Sequence, residues 1–206
     1  MNIWKNYALR LSAVGAYRSF LVLPPVQALA KLIRALAEET ADDEALLDHY
    51  AETFYALQKA GYDSLGGYLW EHFRYDETPY GDAAARGTAN AALVDAARWD
   101  VETFAALSAV TPAQWRAAVA GRAGEEAAAL LPVWRADDTL SFEVLTEEYR
   151  KNGAGEFARY KAFTWSNHTL LRVVDPDLEE HALIGYEEER KEVQDNTRAL
   201  LAGHSV

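Results

Sequence analysis

Cysteine is absent from all 206 residues, which removes disulfides, thiolate zinc sites and cysteine nucleophiles together. Positive charge is scarce. Twenty Lys and Arg stand against 32 Asp and Glu, a net charge of −12, so no basic patch offsets repulsion from nucleic-acid phosphates or an anionic lipid surface. A basic or neutral partner stays open. Nowhere does an apolar run reach the roughly 18 residues that a membrane span needs, and the opening MNIWKNYALRLSAVGAYRSFLVLPPV is broken by Arg10 and Arg18 where a signal peptide is continuous. The expectation is a cytoplasmic protein with no nucleic-acid and no membrane partner.

Catalytic signatures are equally sparse. There is no Gly-Lys pair, hence no glycine-rich phosphate loop, and Gly153-Ala154-Gly155 reads as a turn. The histidines at 49, 72, 168, 181 and 204 fall in no metal-ligand spacing. Asp43, Glu44, Asp48, His49 and Glu52 cluster on one predicted helix, where a solvated acidic face accounts for them. Carboxylates abound, but no Gly-x-Ser-x-Gly elbow accompanies them. From the residues, neither a catalytic nor a metal site is expected.

What the chain does have is helix. Half of it is hydrophobic, enough to build a core and to exclude disorder. Ile3, Tyr7, Leu11 and Val14 recur at helical spacing, and Pro24-Pro25 suits the first turn of a second helix with Val26, Leu29, Ile33 and Leu36 inward. After the acidic break at 38–44, a third helix turns Leu47, Tyr50, Phe54 and Leu57 inward and stops at Gly61. Ser64 predicts the N-cap of a short helix through Tyr68, Trp70 and Phe73, whose Gly66-Gly67 pair allows close packing. RYDETPYGD reads as a loop because of Pro79 and Gly81, and 82–107 as one alanine-rich helix with Leu93, Ala97, Val101 and Phe104 on its buried face.

Thr111-Pro112-Ala113-Gln114 is a capping-box pattern, opening a helix that buries Trp115 and Val119 before Gly121. A turn at 125–131 ends at Pro132, and Asp137-Asp138-Thr139 introduce a helix with Phe142, Leu145 and Tyr149 inward, capped near Gly153. Thereafter the texture turns aromatic and β-branched, with Thr169–Val174 as a strand candidate stopped by Asp175-Pro176. Trp4, Trp70, Trp99, Trp115 and Trp134 fall about one to an element, as core anchors would; a ligand pocket lined by aromatics is the alternative. The fold expected is mainly α: a multi-helix bundle over 1–160, a short extended arm over 161–184, and a C-terminal helix within 185–206.

That last stretch is the most distinctive. DLEEHALIGYEEERKEVQDNTRALLAG places Gly185 in an apolar run, sets Tyr186, Val193, Thr197 and Leu200 on one helical face, loads the first turn with Glu187, Glu188 and Glu189, and closes at Gly203. Glu189, Arg190, Lys191, Asp195 and Arg198 read as helix-surface pairing. The segment resembles the lead-in to the nucleotide-binding core of AAA+-type P-loop ATPases. It is most similar to the bacterial family called domain of unknown function eight-fifteen, in which a Leu-Ile-Gly-Tyr-Glu segment precedes a helix with Asn-Thr near its end and a Leu-x-Gly close. The similarity covers chiefly residues 155–203, with a weaker Asp/Glu-x-Pro-aromatic step at Glu77–Tyr80.

The resemblance implies that Ile184, Gly185 and Tyr186 lie against the adenine of ATP in the full-length protein. It further implies that a buried strand and phosphate loop follow, that this chain stops short of them, and that self-association would run through that core. The helical body would then be a partner-binding, regulatory or assembly domain without catalytic residues, its protein partner unknown. Three alternatives stand beside it: a linker packing its apolar residues on the body, a self-sufficient helical-bundle enzyme or small-ligand binder with an aromatic pocket, and a protein-interaction adaptor.

Overall fold

Residues 2–38, 42–160, 162–174 and 185–201 are described in the computed structural model. The chain enters through α1 (Ile3–Ser12), whose N-cap Asn2 accepts a hydrogen bond from the Trp4 N–H. Its stripe buries progressively: Ile3 at the outer end is exposed, while Leu11 and Val14 are sealed. A 3₁₀ turn over Arg18–Val22 plugs Phe20 into the core, and α2 (Pro24–Ala37) starts on its proline pair. With Val26, Leu29, Leu32, Ile33 and Leu36 all buried, α2 is the central post of this half of the bundle.

α3 (Asp43–Lys59) runs beside α2, its first turn held by Asp42. The side chains it buries fully are Leu46, Tyr50, Thr53 and Leu57, whereas the expected Leu47 and Phe54 are half-buried. The stripe is rotated because α3 packs on two neighbours, α2 and the later α7 (Pro112–Ala123), and a wedge position widens the covered face. Ser64 caps α4 (Leu65–Tyr75) by accepting from Gly67 N–H. The glycine pair does permit close packing: a Cβ on Gly66 would lie 2.7 Å from the Asp137 Cβ.

Two expectations fail in the next stretch. RYDETPYGD is a loop only over Asp76–Thr78: Arg74 and Tyr75 finish α4, and Pro79 opens α5 (Pro79–Ala85) under an N-cap from Thr78, whose Oγ1 accepts from Gly81 N–H at 3.1 Å. Gly81 sits inside that helix because Thr78 Oγ1, Ala154 and Tyr149 lie against it, leaving little room for a side chain. Nor is 82–107 one helix. The chain breaks at Gly87 (φ +68°) and restarts at α6 (Ala91–Ser108), where Asn90 accepts from Leu93 N–H. Alanine suits either side of such a break, so composition does not reveal it.

The capping box at Thr111 forms as expected, but α7 continues past Gly121 and ends at Gly124, whose φ of +92° is the turning point. After α8 (Glu125–Ala129) an irregular segment crosses the bundle, tied by Tyr50 OH donating to the Pro132 carbonyl (2.9 Å) and Asp137 N–H to Ser108 O (2.8 Å). α9 (Phe142–Asn152) then packs on α5, capped by Ser141 and not by the Asp137–Thr139 stretch. Asp137 accepts from Thr139 and Ser64 instead.

Two aromatic groups fill the interior. Tyr17, Phe20, Phe73, Phe104, Tyr80 and Tyr149 join the 3₁₀ turn to α4, α5, α6 and α9, with ring centroids as close as 4.6 Å for Tyr17–Phe73. Trp4, Trp115, Trp134 and Tyr50 join α1, α7, the crossing segment and α3 at 4.8–5.5 Å. Past the short α10 (Glu156–Arg159), Thr169–Val173 is a strand, as expected, and it has a partner that the spacing does not predict. β1 (Ala162–Ser166) and β2 (Thr169–Val173) form an antiparallel hairpin through Asn167-His168, both at positive φ. The described chain ends in α11 (Glu187–Leu201). The fold is mainly helical, with this one small antiparallel sheet and a C-terminal helix among the described residues.

Candidate functional site

Of the three residues singled out for a nucleotide, Ile184 lies outside the described residues. Gly185 and Tyr186 stand just ahead of α11 with φ of +85° and +64°. Glycine adopts that region freely; tyrosine does so at a cost on the order of 1 kcal/mol or more. Tyr186 is 73 % exposed. With Glu189, Arg190, Val193 and Gln194 it lines a shallow depression of about 330 Å³. Every described side chain from Tyr186 to Arg198 is exposed, Val193 included, and the Leu200 side chain is not among those described. The expected surface pairing is present in Arg198–Asp195 at 3.0 Å, and Thr197 Oγ1 donates to Val193 O at 2.7 Å.

The tryptophans divide. Trp115 and Trp134 are core, Trp4 and Trp70 are half-buried against it, and Trp99 is a surface residue, 37 % exposed, under the Arg10 guanidinium at 5.5 Å. At the centre of the other aromatic group is a set of buried hydroxyls. Tyr149 OH donates to the Phe73 carbonyl, Tyr17 and Tyr149 share a hydrogen bond at 3.2 Å, and Tyr80 pairs with Thr146 Oγ1 at 2.8 Å. Burial pushes the Tyr17 and Tyr149 phenols far up, so they stay protonated. Each has a partner, and the rings around them close the space. This is a packed polar centre and not a ligand chamber.

Beside it, Asp100 accepts from the backbone N–H groups of Gly15 (3.1 Å) and Tyr17 (2.9 Å), fixing the turn after α1. Burial raises its carboxyl, and the N–H groups of Tyr17, Gly15 and Ala16 pull the other way. The groove between the α5–α6 break and α9 is open to solvent, about 440 Å³, and is spanned by an Arg98–Glu143 ion pair lying over Phe142. Among the described residues no group of three or more His, Cys, Asp or Glu is placed to hold a metal ion. Of the acidic set on α3, Asp43, Glu44 and Asp48 are exposed, while His49 and Glu52 are half-buried, with Glu52 bound to Lys31 at 3.0 Å.

No sequence signal points to the surface where the hairpin meets the body. Arginine and aromatic rings alternate there. Arg74 lies over Trp70 (5.9 Å) and Tyr75 (4.8 Å), Arg159 over Tyr75 (5.2 Å) and Tyr160 (5.8 Å), and Arg172 over Tyr160 (5.5 Å). Each guanidinium also meets a carboxylate: Arg74–Glu148 at 2.6 Å, Arg159–Glu71 at 2.9 Å, and Arg172–Glu156. Rung by rung this ladder joins α4, α9, α10 and β2, so the hairpin is held to the bundle through Arg172. The residues lie far apart in sequence, which is why spacing could not reveal them.

No described helix is long and apolar enough to cross a membrane. Comparison with protein-family models, with curated proteins and with solved structures finds no match to this chain.

Proposed function

We propose that this chain is the N-terminal region of a bacterial AAA+-like ATP-binding protein. In this reading the helical body is a partner-binding, regulatory or assembly module, and Ile184, Gly185 and Tyr186 lead into the nucleotide core. The observation that carries the reading is Tyr186: a large ring presented to solvent from a left-handed backbone, next to a glycine that shares that conformation. Strain of this kind persists where a local geometry serves binding, and an exposed aromatic face suits a purine. The acidic first turn of α11 is unsuited to phosphates, and the 206 residues hold no Gly-Lys pair. The reading therefore assigns Tyr186 to the base and requires a separate phosphate loop in the intact polypeptide.

The test is a titration of the intact polypeptide with a fluorescent ATP analogue. Tyr186→Ala is expected to weaken binding about tenfold, the loss of one base–aromatic stack, and Tyr186→Phe to leave it near wild type. An intact polypeptide that binds no nucleotide, or a Tyr186→Ala variant that binds as wild type does, overturns the proposal.

A further inference from the structure

The hairpin leaves large apolar side chains uncovered. Trp165 is 67 % exposed, Leu170 43 %, Leu171 50 % and Val174 84 %. A two-stranded sheet alone is marginal in water and gains independent stability from a third strand or from an apolar face that is covered. Among the described residues no third strand joins it. Its outer edge also lacks the devices that keep natural edges apart. β2 has neither lysine nor proline, and its one charged side chain, Arg172, is drawn back to Glu156 and Tyr160.

The register decides what that edge can accept. Asn167 and His168 at φ +48° and +58° form a two-residue turn of the mirror-image type, closed by the Ser166–Thr169 pair. In an antiparallel ladder the pairs alternate, so Thr164–Leu171 bonds inward like Ser166–Thr169, while Leu170 and Arg172 aim their amide and carbonyl groups away from β1. Those two positions flank Leu171 symmetrically. A second β2 laid antiparallel across a two-fold axis at Leu171 sets Leu170 of one chain opposite Arg172 of the other, with every outward group bonded. It also places the two Leu171 side chains together.

We infer that the β2 edge is a self-association site, through which two copies of this chain join their hairpins into one four-stranded antiparallel sheet. Charge favours this meeting point. Copies of a −12 chain repel, yet residues 162–174 carry one charged side chain, and Glu156 neutralises it. The arginine–aromatic ladder holds the hairpin on the bundle before association, which lowers the ordering cost. So short an edge makes a weak dimer, of the class whose interfaces bury less than about 1,200 Å². This inference is independent of the nucleotide reading.

Sedimentation of the 206-residue chain from low micromolar to near-millimolar concentration is expected to show a reversible monomer–dimer equilibrium. Leu171→Glu and Leu171→Lys each abolish the dimer, because like charges then face each other across the axis. An equal mixture of the two variants restores it, since glutamate now faces lysine. Thr164→Glu, on the same sheet face but away from the axis, dimerises as wild type does and keeps the far-ultraviolet circular dichroism that all four proteins share. A wild-type chain that stays monomeric throughout, a Leu171→Glu chain that dimerises undiminished, or a mixture that remains monomeric overturns the inference.

Discussion

Asp137 holds more of the fold than its place in an irregular segment suggests. It is 6 % exposed and accepts from Thr139 N–H (3.0 Å), Thr139 Oγ1 (2.6 Å) and Ser64 Oγ (3.0 Å), with Arg135 at 3.5 Å. Burial alone would raise its carboxyl, but these bonds and the Arg135 charge outweigh burial and hold it below the usual carboxylate range. A depressed carboxylate stabilises the folded state above its unfolded pKa of about 3.9, and that contribution is lost as pH falls through the folded value. Asp137→Asn is therefore expected to cost about 2 kcal/mol in urea unfolding at pH 7, the scale of bonds to a charged acceptor. The gap between variant and wild type should narrow at the most acid pH that the fold tolerates. A gap independent of pH would mean that packing, and not the charge, is what the variant loses. Asp100 tilts the opposite way, because its folded pKa is raised, so its contribution falls as pH rises through the carboxylate range.

Glycine and proline mean different things in different elements. Gly121 lies inside α7 with open space where a Cβ would project, nothing coming within 4 Å, whereas Gly66 in α4 lies against Asp137. Gly121→Ala should stabilise by roughly 0.5–1 kcal/mol through helix propensity, and Gly66→Ala should destabilise by about 1–3 kcal/mol through overpacking. Thermal unfolding of the pair checks this: equal signs would show that neighbours decide neither. Thr78-Pro79 and Thr111-Pro112 carry the same cap-then-proline signature, and both open helices. Gly81 makes the first resemble a loop in sequence, and the Thr78 cap hydroxyl together with Ala154 and Tyr149 leaves room only for a glycine there. For the hairpin, His168→Gly should stabilise by about 1 kcal/mol, since glycine accepts φ > 0 without a Cβ penalty. Slower amide exchange in β1 and β2 is the expected readout, and unchanged exchange would show that the turn is unstrained.

Among the described residues the buried hydrophobic cluster runs from Leu11 to Tyr149. Among the described residues, α11 keeps its hydrogen bonds and ion pairs to itself. Removing residues 185–206 is thus expected to shift the melting temperature of the body by less than about 2 °C in calorimetry. A larger fall would mean that α11 contributes packing to the bundle. The two proposed roles also divide at this scale: the tail offers an exposed ring for a base, the hairpin an open edge for a second copy.

The helical class, the caps at Ser64, Thr111 and Gly153, most of the buried stripes and the final helix are legible in the amino-acid order, because each rests on contacts within a few residues. The structure adds the break between α5 and α6 and the partner strand of β2, both local but unmarked by composition, and the rotated face of α3 and the arginine–aromatic ladder, which depend on neighbours brought from distant parts of the chain. Local spacing is blind to such groups until the bundle has closed around them.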